Sequence, residues 1–137
     1  MISGNDKVNN LKTENTSGQG NASVVPPEVQ RWNGGAFFLT WIWAIGNRLW
    51  IWALIGIIAS ALSLIPSDNT VALGAAYTYQ IVVSIVLGLK GNKWAWQSKK
   101  WNSVEQFQRT QRKWLNWGMG LTLLGIAILL YLTYSGG

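Results

Sequence analysis

Two stretches of this chain carry almost no charge. Across residues 32–89 and 114–137, 82 residues in all, Arg48 and Asp68 are the only charged side chains. Soluble globular chains are charged at roughly a quarter of their positions, whereas the figure here is 12%. So few charges cannot cover a water-facing surface of that extent. A backbone placed in hydrocarbon must satisfy its own polar groups, which leaves helices or a closed barrel. The long uncharged runs match the helical choice and predict an all-α integral membrane protein. At 137 residues it is one domain.

The remaining charges fall into two blocks, residues 1–31 and 90–113. Residues 1–31 hold five Asn among Ser, Thr, Gly and Gln, with three charges of each sign. Such a segment buries too little apolar surface to offset the entropy of ordering, so a disordered polar tail is expected. It lacks the cationic start and apolar core of a signal peptide. Asn15-Thr16-Ser17 and Asn21-Ala22-Ser23 match the glycosylation pattern, which an Asn- and Ser-rich tail produces by chance. Pro27 followed by Glu28 is a plausible start of a short helix.

Residues 32–137 form the expected helical membrane domain. Residues 32–47 would make about 24 Å of helix, short of the roughly 30 Å hydrocarbon thickness, and so predict an interfacial or re-entrant helix. Gly46-Asn47 breaks its end. Residues 49–67 are the first expected span and residues 70–89 the second, joined by a turn too short for anything but an antiparallel hairpin. Residues 114–134 are the third.

Between them, residues 90–113 form an expected basic loop. Lys90-Gly91-Asn92 reads as a turn and Lys93 to Trp101 as a short helix or tight loop. Asn102 with Glu105, or Ser103 with Gln106, offers a capping box. From Val104 onward the spacing of Phe107, Gln111, Trp114 and Gly118 predicts a helix continuing into the third span. This loop has seven Lys and Arg, and the 67–69 turn has none. The positive-inside rule then puts the loop and N terminus in the cytoplasm and the C terminus outside.

The absence of Cys and His removes disulfides, Cys/His zinc sites, haem histidines and Ser-His or Cys-His catalysis. No catalytic, cofactor or metal residues are expected. The ten Trp suit an interfacial belt. Trp41, Trp43, Trp50 and Trp52 around Arg48 read as an aromatic belt and membrane anchor, with a cation held between aromatic faces as the sharper alternative. Lys90, Lys93, Trp94, Trp96, Lys99, Lys100, Trp101, Arg109, Arg112 and Lys113 interleave cations with aromatics. That pattern fits anionic lipid headgroups and also stacking on single-stranded nucleic acid, with the lipid reading favoured because it needs no further partner. Gly56 with Ser60, or Ala59 with Ser63, supplies small residues for close helix approach. Tyr77, Tyr79, Gln80 and Ser84 are expected to bond between helices.

A set of short pieces resembles a family of small uncharacterised bacterial membrane proteins. They run from Pro26-Pro27-Glu28-Val29 through Trp32-Asn33, Gly35-Ala36-Phe37-Phe38-Leu39, Trp41-Ile42-Trp43, Gly46-Asn47-Arg48 and Trp50-Ile51. They continue with Leu87-Gly88, Lys90-Gly91-Asn92, Trp94-Ala95-Trp96, Lys99, Trp101, Ser103-Val104-Glu105, Phe107, Gln111-Arg112, Trp114 and Trp117-Gly118. Relatives tend to have an aromatic where Gly34 stands and an acid where Lys93 stands, so this loop is the more cationic. The resemblance implies a bacterial plasma membrane protein and supplies no activity. A ribonuclease label on some relatives finds no paired carboxylates here, since Asp68 and Glu105 are the only acids in 32–137. The expectation is a non-enzymatic adaptor or assembly protein binding membrane lipids and a protein partner or further copies of itself. A channel subunit working as an oligomer is the alternative, and a membrane-tethered RNA-binding module the third.

Overall fold

A computed structural model describes residues 3–5 and 14–136, so the expectation of disorder for residues 1–2 and 6–13 lies outside the described residues. The body is all-helical. After a 3-10 turn at Gly20–Ala22 come α1 (Gly34–Gly46), α2 (Trp50–Leu64), α3 (Thr70–Ser98) and α4 (Val104–Ser135). α3 and α4 are long and apolar enough to cross a membrane. With 29 and 32 residues they extend about 44 and 48 Å at 1.5 Å per residue.

Local chemistry explains most of the boundaries. Asn69 begins α3 by accepting from the amides of Val71 and Ala72. Ser103 begins α4 by accepting from Gln106 N at 3.0 Å, while Gln106 Oε1 reaches back to Asn102 N at 2.8 Å. The second of the two expected capping boxes is therefore the one used. α4 then runs unbroken into the apolar segment. α2 is shorter than the expected 49–67 span: its 15 residues give about 22 Å of helix. It stops because Ile65 precedes Pro66 and is held extended, at φ −72° and ψ 120°.

The expected turn at Lys90-Gly91-Asn92 does not form, and α3 continues through it to Ser98. The indole of Trp43 lies over Gly91, 2.9 Å from where a Cβ would be. The glycine is there for a close approach within a helix. The 90–113 loop thus resolves into the last turns of α3, a connection at 99–103 and the first turns of α4.

α1 packs against α2, α3 and α4, whereas α4 joins the other helices chiefly through α1. It is not straight. Thr40 has φ 34° and ψ −101°, a positive-φ conformation costly for a β-branched residue. Straight helix would separate Asn33 from Asn47 by about 21 Å, yet both side chains reach Gln111. The segment is therefore bent at Thr40, with Phe38 and Leu39 against Gly118. At the predicted break after Gly46, Arg48 N bonds Ile45 O at 3.0 Å and Leu49 N bonds Ala44 O at 2.9 Å. With Arg48 at φ 61°, this is a Schellman cap carrying arginine where glycine is usual.

Residues 14–31 differ from the disordered tail expected for them. Gly18 N donates to Trp96 O at 2.9 Å, Trp101 N donates to Ser17 Oγ at 2.8 Å, and Trp96 Nε1 donates to Val24 O at 3.2 Å. The segment satisfies carbonyls and amides that the end of α3 leaves free. Polar side chains here act as backbone partners, which a composition argument does not register. Ser17→Ala is expected to strand the buried Trp101 amide and destabilise this docking by about 1–3 kcal/mol. Faster proteolysis of residues 14–31 and a red-shifted Trp emission would report it.

Candidate functional site

Nine cations collect at one end of the helices. Seven lie on the end of α3, the connection and the start of α4. Arg31 and Arg48 join them because Arg31 O accepts from Asn92 Nδ2 at 3.0 Å and the adjoining Asn47 O accepts from Ser98 Oγ at 2.8 Å. Lys90, Lys93, Lys100, Arg109, Arg112 and Lys113 are exposed and Lys99 is half-buried. Lys100 Nζ donates to Asn15 O at 2.9 Å, and Lys99 Nζ stands 4.9 Å from the Trp101 ring. No cation is in an ion pair among the described residues.

The tryptophans expected on this surface are mostly elsewhere. Trp96 and Trp101, each 2% exposed, sit in the core, edge-on to Phe107 at 5.6 and 4.9 Å. Trp94 is half-buried and stacks on Trp52 at 4.6 Å. The surface is cationic without being Trp-rich, and these rings are not free to stack on bases. The anchor group divides as well. Trp50 is 64% exposed and Trp41 half-buried, but Trp43 is fully buried at the helix junction. Arg48 is exposed, and Lys99 over Trp101 is the cation–aromatic contact present among the described residues.

At the junction lies a closed network of side-chain amides. Asn33 Nδ2 donates to Asn92 Oδ1 at 2.6 Å and to Gln111 Oε1 at 2.9 Å. Trp43 Nε1 donates to the same Gln111 oxygen at 2.8 Å, and Gln111 Nε2 donates to Asn47 Oδ1 at 3.1 Å. Asn47 Nδ2 returns to Trp43 O at 2.9 Å, and Asn33 Oδ1 caps Ala36 N at 2.8 Å. Among the described residues no buried side-chain polar atom lacks a partner. Each donor meets an acceptor in one consistent sense, so the network has a single arrangement. The spacing argument placed Gln111 on a helix and did not identify it as a hub. The signal available was the placement of Asn33, Asn92 and Gln111 within three residues of the ends of the two uncharged runs.

Beside the network a cleft of about 360 Å³ opens, lined by Glu28, Arg31, Trp32, Arg112 and Leu115 around the amide floor. Arg112 was among the expected cations, whereas Glu28 and Arg31 were not singled out as site residues. Among the described residues no three acids come together as a metal site. Of the polar residues on α3, Gln80 bonds across to Ser60 Oγ at 3.3 Å, while Tyr77 and Tyr79 face outward. Gly56 lets Trp41 approach α2 closely.

Compared with family models, curated proteins and solved structures, the chain matches none.

Proposed function

We propose that this is a non-enzymatic integral membrane protein of the adaptor or assembly type, holding its cationic end against the anionic headgroups of a bacterial plasma membrane. The observation that carries this reading is the placement of nine cations, none in an ion pair among the described residues, at one end of two long apolar helices. Each cation near an anionic leaflet contributes on the order of 1 kcal/mol, and the attraction fades with salt. In the full chain reconstituted in mixed vesicles, labelled anionic lipid should gather around the protein and disperse as salt rises. Lys99→Gln with Lys100→Gln should weaken the enrichment, and no enrichment at low salt would refute the reading.

The proposed topology has three crossings, α2 completing its roughly 22 Å of helix with the extended residues 65–67, which add about 10 Å, and residues 32–47 bent into the bilayer from the cytoplasmic side. α2 pairs with α3 and returns to it through residues 65–69, which supports a hairpin whose turn lies outside. The absence of Cys allows single cysteines to be introduced cleanly. Asp68 and Asn102 are exposed with no side-chain bonds among the described residues, and Ser135 is exposed near the end of α4. In intact cells Asp68→Cys and Ser135→Cys should react with an impermeant thiol reagent and Asn102→Cys should not. External labelling at 102 would invert the topology.

Beyond Gly118, α4 is exposed, and a Cβ on Gly120 or Gly125 would meet nothing within 4 Å. That free flank supports a role in which α4 meets a partner helix. Burial of Trp96 and Trp101 supports the lipid reading over the RNA-binding one, which calls for exposed rings.

A further inference from the structure

The cleft at the junction differs in charge from the cationic end around it. Arg31 and Arg112 share it with Glu28, and none of the three is in an ion pair among the described residues. Its volume of about 360 Å³ falls at the lower end of the roughly 300–1,000 Å³ usual for small-molecule sites. The floor is formed by Asn33, Asn92 and Gln111, whose amides bond one another. A ligand's charges must therefore meet the two guanidiniums and the carboxylate.

The walls fix the level at which the cleft opens. Trp32 covers Gly88, in the uncharged part of α3, and Leu115 begins the apolar run of α4. The cleft thus lies where the cations stop and the apolar flanks begin. In a bilayer that is the depth of the headgroup phosphates.

We propose that this cleft binds the headgroup of a phospholipid carrying a primary ammonium beside its phosphate, with the phosphate on Arg31 and Arg112 and the ammonium on Glu28. Guanidinium matches phosphate geometry bidentately. A headgroup with negative charge alone leaves Glu28 opposed by a like charge. A quaternary ammonium balances the carboxylate but has no N–H to donate. The proposal rests on the membrane-embedded reading above.

The test uses the full chain purified in mild detergent, with binding of phosphatidylethanolamine, phosphatidylcholine and phosphatidylglycerol of identical acyl chains followed by native mass spectrometry. The primary-amine lipid should bind about threefold tighter than phosphatidylcholine, in keeping with one exposed charge pair, while phosphatidylglycerol, which the surrounding cations also attract, should bind no more weakly after Glu28→Gln. Glu28→Gln should erase that preference over phosphatidylcholine while leaving overall lipid binding in place, and Arg112→Gln should weaken all three. Equal binding of the amine and choline lipids, or selectivity that survives Glu28→Gln, would overturn the assignment. Free phosphoethanolamine competing as well as the lipid would overturn the lipid source. Flotation with neutral vesicles separates the two readings, because a chain that does not float refutes both, and one that floats without headgroup preference refutes only this one.

Discussion

Gln111→Leu should destabilise the protein more than any other single polar substitution at the helix junction. Gln111 is buried, and its side chain receives Asn33 and Trp43 and donates to Asn47. Leucine fills similar space but orphans the indole N–H of Trp43 and the Asn47 oxygen, both of which are buried and do not line the cleft. Each stranded group costs about 1–3 kcal/mol, so the expected loss for the two is roughly 2–6 kcal/mol. Both ends of α1 are tied to this one side chain, so its bend at Thr40 should relax at the same time. Thermal unfolding of the full chain in mild detergent would measure the loss, with exposure of Trp43 to quenchers as a local readout. Gln111→Glu keeps two acceptors for Asn33 and Trp43 but sets a second oxygen against Asn47 Oδ1, so it should not restore stability. An unchanged unfolding temperature in Gln111→Leu would mean the network contributes nothing.

Gly35→Val is the second large expected effect, and it acts through shape alone. A Cβ at Gly35 would stand 2.6 Å from Trp114 Cβ and 3.0 Å from the Leu115 backbone nitrogen. Backbone cannot rotate away, so α1 must separate from α4. Overpacking of this kind costs about 1–3 kcal/mol, with valine at the upper end or beyond. Since α4 joins the other helices chiefly through α1, exposure of the half-buried Trp114 to quenchers should rise as stability falls. Gly120→Ala is the control: nothing lies within 4 Å of its Cβ, and alanine gains about 0.8–1.0 kcal/mol of helix propensity. If Gly35→Val and Gly120→Ala unfold alike, the close approach of α1 and α4 is not a constraint.

The errors of the sequence reading share a physical origin. Lys90-Gly91-Asn92 has turn composition, but Gly91 serves a ring from Trp43 and Asn92 bonds Asn33. Trp96 and Trp101 alternate with lysines as a surface motif would. Residues 14–31 instead cover that end of α3, and both rings turn into the core. The polar tail was expected to stay apart because composition counts apolar area, whereas Asn15 and Ser17 dock through hydrogen bonds to Trp101.

What the sequence determined by itself is whatever depends on neighbours within a turn or two of helix, or on the plain lack of charge. That covers the all-helical class, the apolar length of α3 and α4, a capping box within residues 102–106, the break after Gly46 and the gathering of cations between the second and third apolar runs. Only the tertiary structure decided the bend at Thr40, the convergence on Gln111 and the cleft shared by Glu28, Arg31 and Arg112. Asn33 and Gln111 are 78 positions apart. No local periodicity relates them, because their pairing follows from how α1 wedges against α3 and α4 rather than from the pattern of either segment.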